Sequence, residues 1–170
     1  MGYTHYWYRP TKNAGSAYMF GKLALDAKTI ITQAEAEGIR IRNGNGEFEP
    51  DFNESYFAIN GDASHYIEGR DLAHETFMWH GMLPIQPKHR KDEPDYFSFC
   101  KTAMKPYDAV VGAILIRAKL IYGSCVRISS DGDWHGDWSE CTELYERTFD
   151  EIANCPFNVS RETIISCGTL

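Results

Sequence analysis

The periodicity of apolar and polar positions changes several times along the chain, and each change predicts an element. GYTHYWYR, residues 2–9, has the aromatic enrichment of a strand, and Pro10 followed by TKNAG supplies the turn that ends it. Met19, Phe20, Leu23, Ala27, Ile30, Ile31 and Ala34 then recur at helical spacing, which predicts an amphipathic helix with Gly38 as its stop. Residues 39–54 contain NGNG and an acidic, proline-containing run, and read as a short strand or hairpin edge followed by a surface loop.

SYFAING, HETFMWHGM and DYFSFCK predict three further strands, separated by loops rich in Gly, Asp and Pro that favour chain reversal. The loops GDASHYIEGRD and PIQPKHRKDEPD between them are expected to carry site-lining polar groups. Pro106 suits the first turn of a second helix, in which Val110, Val111, Ile114, Leu115, Ala118 and Ile121 form a broad apolar surface. A strand at CVRIS, a turn at SDGD and a last helix follow, the helix sharing one face among Cys141, Leu144, Tyr145, Thr148, Phe149 and Ile152. Asp137 and Glu140 have the spacing of a capping box. The expectation is an α+β fold, one domain over residues 1–170, with a mixed or mainly antiparallel sheet packed by about three helices.

Composition narrows the function. A formal charge of −7 opposes a sequence-independent binder of long nucleic acid, whose affinity comes from neutralising phosphates. No stretch approaches the roughly 20 apolar residues of a membrane span, and the N-terminal segment lacks the apolar core of a secretory signal, so a cytoplasmic protein is expected. The cysteines at 100, 125, 141, 155 and 167 are odd in number and widely spaced, which predicts buried thiols for most rather than a disulfide framework or a metal site. No metal and no cofactor is expected: HETFMWH does not satisfy HExxH, and the loop from Asp131 lacks the fifth and twelfth ligands of a calcium-binding loop.

Two polar patches stand out. In FSFCKTAMKPYD, Lys101, Thr102 and Lys105 lie where a strand end leads into a helix start, so ammonium, hydroxyl and free N–H donors can converge on an anion. Tyr107 and Asp108 offer a donor and acceptors for a ribose or base edge, Asp108 alternatively capping the helix. In SSDGDWHGDW, Ser129, Ser130 and Asp131 can bind hydroxyls and Trp134 can cover a ring. If the parent strands are neighbours, the patches face one crevice. Glu75 is a candidate hydroxyl acceptor or general base, with His74 on the opposite face of its strand. His5 shares a face with Tyr3 and Trp7, opposite Thr4, Tyr6 and Tyr8; the His5 face is slightly favoured as pocket lining.

MGYTHYW at 1–7, HETF at 74–77, CKTAMKPYD at 100–108 and VRISSDG at 126–132 resemble a group of small phage and bacterial proteins with an MGYTHYW N-terminus. Met104 stands where that group often carries a basic residue. The resemblance implies a phage accessory protein and no particular reaction. The leading expectation is a binding protein for a small anionic, nucleotide-like ligand, sequestering a host defence signal. A small hydrolase of phosphorylated or nucleoside substrates, using Asp108, Asp131 or Glu75 as base, and an accessory protein that binds a host protein are the alternatives, with self-association a further partner class.

Overall fold

The alternation of β-branched and aromatic residues with polar ones, interrupted by three long helical periods, is realised in a computed structural model that describes residues 2–84 and 94–158. In chain order the elements are β1 (Thr4–Pro10), α1 (Ala17–Ala36), β2 (Ile41–Arg42), β3 (Asp51–Phe52), β4 (Tyr56–Gly61), β5 (Tyr66–Ile67), β6 (Arg70–Asp71), β7 (Phe77–His80), β8 (Asp95–Lys101), α2 (Asp108–Tyr122), β9 (Arg127–Ser130) and α3 (Ser139–Phe149). The fold is α+β, and the paired strands are antiparallel. Instead of one sheet there is a three-stranded sheet ordered β8-β1-β9, a second sheet in which β4 pairs with β2, β3 and β7, and the small hairpin β5-β6. The hairpin occupies the loop expected between the second and third strands, while residues 85–93 of the next loop lie outside the described residues.

The helices bury the faces their spacing predicts, with one correction: Ile152, expected on the shared face of α3, lies beyond the end of that helix at Phe149 and is 83% exposed. Ser16 caps α1 by accepting the Met19 N–H at 3.2 Å, and Phe20, Leu23, Ala27, Ile30, Ile31 and Ala34 go into the core. Gly38 follows the helix end at φ +90°, a left-handed conformation that costs glycine nothing. Helix α2 is buried on nearly every side. Against α3 it approaches so closely that a Cβ on Gly112 would lie 2.2 Å from Cys141 Sγ. Arg117 on α2 ties all three helices, its Nε 2.7 Å from Asp26 on α1 and its Nη1 3.2 Å from Tyr145 on α3.

Trp7 joins the two sheets, 5.1 Å from Phe77 and 6.1 Å from Trp79 between ring centroids. Arg9, only 2% exposed, lies between the rings of Trp79 and Tyr122 at 5.2 and 5.0 Å and donates to the Ala14 and His80 carbonyls. Burial pushes its pKa down, and the charge is held by ring faces and carbonyl dipoles.

Three local expectations are corrected. The expected capping box is replaced: α3 has Trp138 at its N-cap with no side-chain cap, and Asp137 accepts from the Asp133 N–H at 3.0 Å. Pro106 precedes α2 rather than sitting in its first turn. His74 and Glu75 precede β7, which begins at Phe77, so strand parity does not separate them.

Candidate functional site

Because β8 and β9 both run antiparallel to β1, both end beside its start. Thr4 is opposite Lys101, and His5 is opposite Cys100 on one side and Ser130 on the other. Helix α2 carries the chain from β8 to β9 and places Asp108 at the same end. The two polar patches therefore meet, although their strands are separated by β1 rather than adjacent.

On the inner face, His5 is fully enclosed. Its Nε2 lies 2.7 Å from Asp108 Oδ1 and its Nδ1 lies 3.0 Å from Ser130 Oγ. Ser130 Oγ already accepts from the Gly132 N–H at 3.1 Å and the Trp138 indole N–H at 3.2 Å. Two lone pairs are then used, so the hydroxyl proton goes to Nδ1 and the imidazole carries its proton on Nε2, donated to Asp108. The Thr102 hydroxyl donates to the same carboxylate oxygen. Tyr3 and Trp138 close the imidazole edge-on at 5.2 and 4.9 Å.

The order hydroxyl, imidazole, carboxylate is that of an activated nucleophile. Here the hydroxyl oxygen is saturated and the imidazole is out of reach, so the array holds β1, β9 and α2 together. Tyr3 completes the inner layer: its buried hydroxyl has no hydrogen-bond partner among the described residues, and a Cβ on Gly132 would lie 2.2 Å from it. Burial first, then the Asp108 charge, pushes the Tyr3 phenol up; Ser130, nearby but outside hydrogen-bond geometry, acts the other way.

The lysines separate. Lys105 turns to the preceding loop, donating to Asp71 O at 2.9 Å, Asp71 Oδ1 at 3.1 Å and the Ala73 carbonyl, and thereby holds the Asp71 carboxyl below its usual range. Ala103 and Met104, at φ +54° and +55°, make the left-handed turn that precedes Lys105. Tyr107 is buried, its hydroxyl donating to Glu75 O at 2.8 Å. Glu75 Oε2 accepts the Lys101 N–H at 2.9 Å, while His74 Nδ1 lies 2.8 Å from Lys101 O. Adjacent in sequence, these two residues hold the backbone of one β8 residue from both its polar groups. The Lys101 side chain lies over Gly2, half-buried at the rim.

The outer face of the same sheet is different. Alternation places Tyr6 and Tyr8 of β1, Phe97 and Phe99 of β8, and Arg127 and Ser129 of β9 on it. Phe97 lies 6.2 Å from Tyr6 and 5.8 Å from Phe99, with ring planes within 17° and 24°, and 5.0 Å from Tyr8. Phe99 is 51% exposed, too much for a core phenylalanine, and the other three rings are half-buried. The Arg127 guanidinium lies 5.4 Å above the Tyr8 ring and pairs with Asp95. Asp131 accepts from the Tyr6 hydroxyl at 3.1 Å and the Thr4 N–H at 3.0 Å.

Of the expected ligand residues, Lys101 and Ser129 thus share the outer face, with Asp131 at its edge. His5, Thr102, Asp108 and Ser130 form the inner network, and Lys105, Tyr107 and Glu75 secure loop backbone. Trp134 packs on Trp138 and Phe157, at 5.9 and 6.3 Å, instead of standing over an open site. The expectation that the Tyr3, His5 and Trp7 face lines a pocket is corrected: that face goes into the core, and the β1 rings left half-exposed are Tyr6 and Tyr8, of opposite parity. Phe97, Phe99 and Arg127 are additions, legible in the period-2 alternation of DYFSFCK and CVRIS.

The enclosed pocket beside Tyr107, about 90 Å³, is smaller than the roughly 300 Å³ at which small-molecule sites begin. A wider groove of about 500 Å³ runs past Met104, but Glu37, Glu140 and Glu143 line it, and its Arg147 is already paired with Glu37 and Glu143. That lining disfavours an anion.

No family model, curated protein or solved structure matches the chain. Among the described residues no group of three or more His, Cys, Asp or Glu is placed to hold a metal ion, and no helix is long and apolar enough to cross a membrane.

Proposed function

We propose that the protein binds a small anionic, nucleotide-like ligand, with its base lying on Tyr6, Phe97 and Phe99 and its phosphate meeting Lys101. One observation carries this reading: near-parallel aromatic rings stay half-exposed or more on a sheet face among the described residues, with Lys101 two residues from the most exposed of them. Aromatic faces stack on planar ligands, and an ammonium at the end of the platform supplies the charge the ligand needs. In the phage setting that the resemblance implies, such capture withholds a host defence signal.

The hydrolase reading is less well supported, because each of its expected bases already accepts hydrogen bonds from within the chain: Asp108 from Thr102 and His5, Asp131 from Thr4 and Tyr6, Glu75 from Lys101.

Calorimetric titration with mononucleotides and cyclic nucleotides, alongside thermal melts, tests the proposal. The expected result is heat and stabilisation with at least one of them, both lost in the Tyr6→Ala, Phe99→Ala double variant. Binding that survives in that folded variant, or no binding to any, overturns it. Recovery of the bound molecule unchanged after denaturing the protein distinguishes capture from turnover.

A further inference from the structure

The outer face offers more than one stacking position. Successive outward residues on a strand are about 6.7 Å apart, so the face is divided into rows. Tyr6 is opposite Phe99 in one row, and Tyr8 is opposite Phe97 in the next.

The second row has a planar cap: Arg127, held over Tyr8 and anchored by Asp95, presents a guanidinium plane on which a base can lie. A cation stands at each end, Lys101 beyond the first row and Arg127 at the second, and Ser129, exposed opposite Tyr6, adds a hydroxyl between them. A mononucleotide uses one row. Two or three linked nucleotides use both, and their phosphates reach both cations.

We propose that the ligand of this face is a short single-stranded nucleic acid of two or three nucleotides. This rests on reading the face as a base-stacking site and extends it from one base to a chain of bases. The topology agrees: β8, α2 and β9 form a split βαβ unit with β1 inserted between its strands, and exposed rings stand on the adjacent strands β1 and β8. Sheets that read single-stranded RNA stack two or three bases on aromatics of neighbouring strands in this way.

The acidic balance of the chain is compatible with this partner because stacking supplies most of the affinity and only two cations meet the phosphates. It also sets the length, since a longer polyanion leaves the two cations and meets a protein of net charge −7.

The test is fluorescence titration of the full chain with a mixed-sequence single-stranded RNA tetranucleotide, a blunt-ended RNA duplex long enough to stay paired under the assay conditions, and the four mononucleotides. The tetranucleotide is expected to bind at least about 10-fold more tightly than any mononucleotide, and Phe99→Ala to weaken it about 5- to 100-fold. Phe97→Leu keeps an apolar side chain in place but removes the ring, so it preserves the fold and still loses affinity. With two cations, the slope of log K against log salt is expected to be no steeper than about −1.4.

Equal affinity for tetranucleotide and mononucleotide overturns the extension and leaves the single-base reading standing. Failure of every probe removes both. Equal binding of the duplex, a steeper salt slope, or indifference to Phe97→Leu and Phe99→Ala in variants with unchanged melting overturns the stacking site.

Discussion

The two faces of β1 have nearly the same kind of sequence and opposite roles. Inward, His5, Trp7 and Arg9 are enclosed, and the polar atoms of His5 and Arg9 are matched to partners on β9, α2, the Ala14 loop and β7. Outward, Tyr6 and Tyr8 sit half-exposed beside Phe97 and Phe99, with apolar area in contact with solvent. A buried polar group without a partner costs stability, and the inner face meets most of that demand within the chain, the Tyr3 hydroxyl excepted among the described residues. An exposed ring costs little and remains available. The contrast teaches that the polar groups most suggestive of chemistry in the sequence are those the fold consumes, whereas the plain aromatics beside them are left for a partner.

The sharpest way to break this contrast is at Asp108. Asp108→Ala strands His5 and Thr102 inside the protein and is expected to cost about 3 kcal/mol in urea unfolding. Asp108→Asn, which keeps an acceptor, costs less. A change in nucleotide affinity with stability intact would reverse the assignment of the two faces. Next is Gly132→Ala, whose Cβ would collide with the Tyr3 hydroxyl; a loss of about 1–3 kcal/mol is expected from the same measurement.

On the outer face, Phe99→Ala is expected to change stability by no more than about 1 kcal/mol while weakening ligand binding. Differential scanning calorimetry beside a binding titration reads the two effects separately.

The smallest effect concerns acid. Asp62 is held below the usual carboxylate range by the Ser64 hydroxyl, against burial, with Arg42 and Arg40 assisting; Asp71 is held down first by Lys105. Carboxyls with lowered folded pKa contribute stability that is complete above the unfolded value of about 3.9 and is lost as pH falls through the lower folded values. Unfolding followed between pH 5 and pH 2 is expected to show this loss, and Lys105→Met should remove the Asp71 share of it. An unchanged pH profile in that variant would contradict the role given to Lys105.

The elements themselves were largely legible. DYFSFCK is β8 from end to end, and the apolar spacings of α1, α2 and α3 define their buried faces, apart from Ile152 past the end of α3, because local period and burial agree there. HETFMWHGM misled at its start, since His74 and Glu75 take their partners from Lys101 across the fold, a contact without local signature. Parity on β1 separated two aromatic sets but could not say which one the helices cover, because both contain large rings and polar atoms. Lys105 looked like an anion ligand for a similar reason: its partners, Asp71 and Ala73, are more than thirty residues away.

Strand β1 has one further consequence, for heredity rather than energetics. Its seven residues serve two surfaces by strict alternation, so inserting or deleting one residue within it would turn every side chain beyond that point to the wrong side. His5 or Trp7 would go to solvent and a tyrosine would go under the helices. Variation in this segment must therefore proceed by replacement at Tyr6 and Tyr8, one position at a time and at constant length, while changes in length are confined to the loops that flank it.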